Sequence, residues 1–429
     1  MRDVEINSEI KPLELIVTSS PGPELDLMLP VNLERYQRME DGSLQPSPDY
    51  LLFDDLVLLS AMQSEHRTLD DVLRAMTGDQ GLLRWKQLLV ETLGLVDARR
   101  LAIHETLALE AELYRPSAAD LAAGRTSLER LDAPRLADAL VSGRDPMDHR
   151  AIFRWPIPNA LFARDLAAVA GPAFIYTYAA EPARMREMLL TRIILGHHRR
   201  FRDADFIDIA MGRPEPGLTL EGGDIQIFDN RVAVVGVGIR TTRAAVERLA
   251  RALFERSFEA VLMVEIPKQR GAMHLDTLLT RIDEEHVLVY PPLVTDPTSL
   301  GTRVTRLGPR ATKEQGADLL GALAELGIPL GPIFCGGMDP GTQAREQWSD
   351  GANAFALAPG IIVCYGRNVA TLRELNRAGY EVVTPEMFCA NALYYVNQRR
   401  RIVVALMGHE LVRGRGGPRC LTLPLRRQA

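Results

Sequence analysis

The chain has 429 residues, 46% of them apolar and 25% charged, and a net charge of −6. This is the balance of a globular protein with room for one large domain or two to three ordinary ones. The acidic balance argues against general nucleic-acid binding, which needs a basic face. No apolar run approaches the roughly 20 residues that span a bilayer, and the opening MRDVEINSEI lacks the apolar h-region of a secretory signal.

Residues 13–19, LELIVTS, predict a buried strand, followed by turn chemistry in SPGPEL. Residues 30–50 are polar and read as a surface excursion. From 54 to 145 apolar residues recur with helical period in five segments, with Leu and Ala dominant and Gly and Pro at the breaks. This predicts an inserted helical subdomain over 54–145. His66 and His104, within it, read as ordinary packed or surface histidines.

After Pro156 short apolar runs alternate with helical segments. AFIYTY, AVLMVEIP, HVLVYPP and YEVVTP predict strands, while IQIFDNRVAVVGVG and NAFALAPGIIVCYG each predict two strands around a turn. EPARMREMLLTRIILGHH, TRAAVERLARALFER, KEQGADLLGALAELG and TLRELNRAGY predict helices. Residues 1–53 and 146–429 therefore read as one α/β body carrying the helical insertion. Units of roughly 40 to 60 residues suggest a structural repeat, without a sequence repeat to match.

Chemistry concentrates in four islands where strands end: PNALFARD (Asn159, Arg164, Asp165), LTLEGGDIQIF (Glu221, Asp224), GAMHLDTLLT (His274, Asp276, Thr277) and GHELVRGRGGPRCLTLP. The last sets Cys420 behind Arg413, Arg415 and Arg419, interspersed with Gly414, Gly416 and Gly417. Cationic neighbours favour the thiolate, the nucleophilic form of cysteine. If extended, His274 and Asp276 would share one face. The inventory suits attack on a planar, cationic carbon: a thiol nucleophile, a histidine to move protons, and carboxylates to grip N–H donors. A metal site from His274, Asp276, Asp224, Cys420 and His197–His198 has no recognised ligand spacing, so none is expected. The four cysteines (Cys335, Cys364, Cys389, Cys420) form no CxxC pair, which argues against a zinc ribbon or disulfide framework and fits a reducing cytoplasm.

These residues resemble the arginine deiminase family of the guanidino-group-modifying superfamily. The resemblance runs from NSEIKPLELIVTSSPGPEL through LFDD, PNALFARD, ARMRE, EGGD, MHLDT and EQWSDGANAFALAPG to ELVRGRGGPRC. It implies a pseudo-fivefold α/β propeller (pentein) with an inserted helical bundle. It further implies Cys420 as nucleophile, His274 as general acid/base, Glu221 paired with His274, and Asp165 and Asp276 on the substrate guanidinium. Asn159, Arg184 and Arg240 would hold the amino-acid end, Arg415 would gate the site, and Asp224 would complete the substrate-binding set in a supporting place. The implied reaction is hydrolysis of free L-arginine to L-citrulline and ammonia, with no metal or organic cofactor.

The expected partners are free L-arginine and further copies of the chain, as a cytoplasmic dimer or tetramer, without nucleic acid or membrane. Residues 31–50 and 385–407 look longer than the family pattern, and Ala163 stands where Thr is expected. The second long segment could add a subunit contact or reshape the pocket rim. The alternatives are a sibling hydrolase acting on citrulline or another guanidino or ureido compound, and a non-catalytic arginine-binding protein.

Overall fold

Five sheets share one plan in the computed structural model, which describes residues 3–211 and 215–428. The first two residues of MRDVEINSEI thus lie outside the described residues. Each unit is an antiparallel strand pair, a helix that crosses over, and a strand returning parallel to the second member of the pair. Parallel neighbours need such a crossover, whereas antiparallel ones join through a tight turn.

In one unit Ala167–Ala170 pairs with Ala173–Tyr176, helix Pro182–His197 crosses, and Asp205–Ile207 returns. The next pairs Ile225–Ile227 with Val232–Val237, crosses through Arg243–Phe254 and returns as Ala260–Glu265. It is widened by the antiparallel strands Arg303–Leu307 and Thr312–Glu314. A third pairs Leu279–Arg281 with His286–Val289; Gly331–Phe334 returns after helix Leu319–Glu325. A fourth pairs Phe355–Ala358 with Ile361–Tyr365 and crosses through Val369–Arg377 to Glu381–Val383.

The remaining unit is made by the chain's two ends. Thr422–Arg427 lies antiparallel to Leu13–Thr18, with Thr18 opposite Thr422. Helix Leu59–Thr77 then crosses over, and Leu82–Arg84 returns parallel to Leu13–Thr18. Closing a ring with its own termini ties the strand after Cys420 into the body.

This topology corrects the predicted boundary of the inserted unit. Helix Leu59–Thr77 is the crossover of a propeller unit, and its Met62, Leu69, Val72 and Leu73 share a buried core with Ile16, Phe355, Ile361 and Val404. The helix also begins five residues after Asp54, because Asp54 and Asp55 are held in a loop by Arg270 and Arg413. Four helices then form the insertion: Trp85–Leu93, Val96–Tyr114, Ala118–Arg130 and Ala133–Ser142. The third starts where the Ser117 hydroxyl accepts the Asp120 N–H, and the fourth where Asp132 accepts that of Arg135. The bundle docks on helix Pro182–His197, with Trp85 Nε1 donating to Thr191 Oγ1 at 2.8 Å.

Residues 385–407 are no appendage. They form helix Pro385–Asn397 and strand Ile402–Leu406, and that strand lies inside its sheet, parallel to Ile361–Tyr365 and Glu381–Val383. Residues 36–46 form an exposed two-stranded hairpin in the predicted surface excursion. Among the described residues no helix is long and apolar enough to cross a membrane.

Candidate active site

The first strand of each unit is preceded by a short turn, and the five turns are hydrogen-bonded in a closed circuit. Arg164 N donates to Cys420 O (3.0 Å), Gly223 N to Asp165 Oδ1 (2.8 Å) and Leu275 N to Asp224 Oδ1 (2.8 Å). Asn353 Nδ2 donates to Asp276 O (3.0 Å), and Cys420 N to Asn353 Oδ1 (3.3 Å). The glycines make this convergence possible. A Cβ on Gly222 would stand 2.1 Å from Arg164 O, and one on Gly223 2.7 Å from the His274 ring. Gly222 and Gly223 therefore let three turns meet rather than merely reversing the chain.

A cleft of about 380 Å³ opens at this convergence. Cys420, His274, Asp165, Asn159, Arg184, Arg240 and Arg415 line it, together with Phe162, Met273 and Arg270. Glu221 lies just behind, with Oε2 2.9 Å from His274 Nε2 and Oε1 accepting the Ala180 N–H at 3.0 Å. Burial disfavours the imidazolium, but Asp165, Glu221 and Asp224 outweigh it and lift the His274 pKa to about 9. Histidine is thus held charged, with a proton to give. Glu221 remains ionised despite its burial, because Arg240, His274 and Arg184 surround it.

Cys420 Sγ is buried, 3.8 Å from Asp276 Oδ2, and accepts from Asn353 Nδ2 at 3.2 Å. Burial, then Asp276, Asp350 and Asp165, push its thiol well above the ordinary range. The acidifying effect first expected of the basic loop is therefore outweighed, by burial first and then by the carboxylates. Arg413 points away to Asp55 and Glu410, and Arg419 turns inward to Glu9 and to Asp276 Oδ2, the latter at 2.8 Å. A cation arriving among Asp165, Asp276 and Asp350 would reverse that balance.

The spacing argument for His274 and Asp276 also fails. Leu275–Thr277 is a tight helical turn, so Asp276 reaches the sulfur from below the cleft, held by Arg419. Asp224, expected in a supporting place within the substrate-binding set, sits behind the cleft. It lies outside the cleft lining, and its Oδ1 fixes the backbone of the turn that carries His274.

The arginines divide by what their N–H groups already hold. Arg184 is spent: its guanidinium bonds Glu187 Oε1 (2.7 Å), Asp165 Oδ2, Asn159 O (3.1 Å) and Phe162 O (3.3 Å). This departs from the expected grip on a substrate's amino-acid end. The Asn159 amide likewise donates to Leu51 O at 2.8 Å. Arg240 touches Glu221 only at 3.4–3.5 Å, and its buried Nε has no hydrogen-bond partner among the described residues. Arg415 donates Nη1 to Trp348 O at 2.8 Å and stacks on the Trp348 ring at 3.7 Å, leaving Nε and Nη2 without such partners. A buried donor without an acceptor costs on the order of 1–3 kcal/mol, so these two are poised for an anion.

Asp165, Glu221 and His274 offer atoms within 4.8 Å of one another, a spacing that could hold a metal ion. Arg184 and Arg240 already lie on these carboxylates, supplying the positive charge from the chain itself. His198 lies elsewhere, bonded to Glu91, and His66 pairs with Asp70 inside the propeller body. Asn353, Trp348, Arg270 and Glu187 are contributors that sequence reasoning missed. Asn353 and Trp348 stand in EQWSDGANAFALAPG, a segment that carries the family resemblance but in which no residue was singled out.

Five pseudo-equivalent units around a buried thiol, histidine and carboxylates define a pentein of the guanidino-modifying class. Solved structures support the fold: an amidinotransferase of saxitoxin biosynthesis from Microseira wollei superposes with a TM-score of 0.53 at 13% identity, covering 100% of this chain and 98% of that one. The N-terminal domain of ArgZ, a cyanobacterial arginine dihydrolase, gives 0.51 at 13% identity, over 97% and 98%. Residues 49–427 match the arginine deiminase family. Arginine deiminases of Rhodococcus jostii (36% identical, 98% of this chain, 96% of that one) and Listeria monocytogenes (33%, 99% and 98%) are similar along their length. The chain belongs to the arginine deiminase family.

Proposed function

We propose that this protein hydrolyses free L-arginine to L-citrulline and ammonia through a covalent Cys420 intermediate. The observation that carries this reading is a buried thiol 3.8 Å from Asp276, sharing one cleft with the charged His274–Glu221 pair and two arginines with unspent donors. The carboxylates suit a guanidinium, and Arg240 and Arg415 suit the carboxylate at the other end of the same substrate.

Entry of the guanidinium between Asp165 and Asp276 offsets the charge that keeps the thiol protonated, and the thiol proton leaves to solvent. The thiolate attacks the guanidinium carbon, forming a C–S bond and a neutral tetrahedral adduct. His274 gives its proton to one amino group, which departs as ammonia and leaves an S-alkylthiouronium cation. Neutral His274 then takes a proton from water as the hydroxide adds to the same carbon. The C–S bond breaks as the hydroxyl proton passes to solvent, the carbon becomes the ureido carbonyl of citrulline, and thiolate is regenerated beside a recharged His274.

The protein is proposed to act in the cytoplasm as a dimer or tetramer; Met387 and Tyr394, exposed seven residues apart on helix Pro385–Asn397, support self-association, which light scattering tests. The activity is tested by incubation with arginine, agmatine and citrulline, following ammonia and the organic product. Arginine should yield citrulline and equimolar ammonia. Turnover of citrulline without turnover of arginine would overturn the reading.

A further inference from the structure

The Asn353 amide has only one orientation that fits its neighbours. One terminus faces the N–H groups of Arg419 (3.0 Å) and Cys420 (3.3 Å), which can only donate, so it is the oxygen. The other faces the Asp276 carbonyl (3.0 Å), which can only accept, so it is the nitrogen. That nitrogen carries two hydrogens. One goes to the carbonyl, and the second points at Cys420 Sγ, 3.2 Å away.

The side chain is held from all sides. Its own N–H bonds Asp350 O at 3.1 Å, and the preceding Ala352 carbonyl accepts Thr280 Oγ1 at 2.7 Å. Gly417 leaves the room it needs, since a Cβ there would stand 2.5 Å from Asn353 Oδ1. Four of the five turns leading into the propeller's first strands carry residues of the expected constellation, and Asn353 is on the fifth. Around the sulfur stand the carboxylates of Asp276, Asp350 and Asp165, with Arg415 and Arg164 as facing cations. Against the carboxylates, a hydrogen bond from Gly417 and the Asn353 amide favour the ionised sulfur.

We propose that Asn353 is a positioning residue for the nucleophile, its amide donating a hydrogen bond that orients the Cys420 sulfur and stabilises the thiolate. This rests on Cys420 being the nucleophile. The test follows alkylation of Cys420 in the full chain by iodoacetamide, read by peptide mass spectrometry from pH 7 to 11, for the wild type, Asn353→Ala and Asn353→Asp. Asn353→Ala removes the donor and should move the alkylation midpoint up by about one pH unit, a roughly tenfold slower reaction at pH 7. Asn353→Asp keeps the oxygen that holds the Arg419 and Cys420 N–H groups but sets an anionic oxygen against the sulfur, so it should shift the midpoint at least as far. A purely structural asparagine predicts an unshifted Asn353→Ala, and that result overturns the proposal. Should Asn353→Ala fail to fold, Asn353→Leu, of similar shape but without the donor, decides in its place by the same criterion. Because alkylation needs no turnover, absence of arginine hydrolysis by the wild type would count against the proposed reaction and not against this contact.

Discussion

Arg184 lays its guanidinium on Asp165, one of the carboxylates assigned by resemblance to the substrate, and both side chains are buried. Asp165 in turn accepts the Gly223 N–H, and Arg184 also holds Glu187. One arginine thus ties a crossover helix to two of the convergent turns. Arg184→Ala should lose on the order of 3–5 kcal/mol of unfolding free energy, read by urea denaturation, because it leaves buried carboxylates unpaired. Unchanged stability with a raised KM would assign Arg184 to the substrate instead.

Arg240 is expected to behave differently, since its buried Nε is unspent. Losing a charge-assisted hydrogen bond of about 1.5–3 kcal/mol should raise KM for arginine roughly 10- to 150-fold, with a smaller effect on kcat. Agmatine, which has no carboxylate, should be nearly indifferent to Arg240→Ala. Equal penalties for both compounds would count against a carboxylate contact.

The Trp348 ring holds Arg415 by its face, at 3.7 Å, while half of the indole remains exposed. Arg415 itself has a φ of +63°, a left-handed conformation that costs a non-glycine residue about 1–2 kcal/mol. Such a residue is easily moved once its anchor is gone. Trp348→Ala should raise KM for arginine about 2- to 30-fold, matching a cation–π contact of about 0.5–2 kcal/mol, and Trp348→Phe should raise it less. Thermal melts should differ little between these variants.

His274 ties stability to pH. Its folded pKa, about 9, lies above the ordinary 6.5, so its contribution is fully present below about pH 6.5 and is lost as pH rises through 9. Glu187, lifted to about 8, and Asp224 and Asp350, lifted to about 7, chiefly by burial, also favour the folded state at lower pH. The His274 share is isolated by comparison with His274→Gln. The difference in unfolding free energy between the two proteins should shrink from pH 6.5 to pH 9. A difference constant across that window would place the His274 pKa near its ordinary value.

Cys420→Ala should abolish citrulline formation while leaving arginine binding measurable by calorimetry. Removing the sulfur leaves Asp165, His274 and Arg240 in place along the cleft. Residual turnover near the wild-type rate would remove Cys420 from the mechanism.

Most strands and helices were legible from period and turn chemistry, as in IQIFDNRVAVVGVG, where Asp229-Asn230 separates two strands. Short elements with neighbours distant in sequence were not: Leu82–Arg84 is a strand only because Leu13–Thr18 lies beside it. Lys313 and Glu314, read as the start of a helix, belong to strand Thr312–Glu314, which pairs with Arg303–Leu307. Helix Leu59–Thr77 looked like part of the insertion because its helical pattern carries no mark of the sheet that it crosses.

The sequence by itself determined which groups are available: one thiol among glycines and arginines, a histidine, and carboxylates before apolar strands, in an order that marks the family. Local sterics and periodicity act over a few residues, so they are written in the chain. Only the tertiary structure decided what each group can do, because hydrogen-bond partners and charges act across distances in space. It engaged Arg184 and Arg419 with the chain's own carboxylates, left Arg240 and Arg415 with donors to offer, and set Asp224 on the backbone of the His274 turn. It also brought Asn353, 67 residues away in the chain, to within 3.2 Å of the Cys420 sulfur.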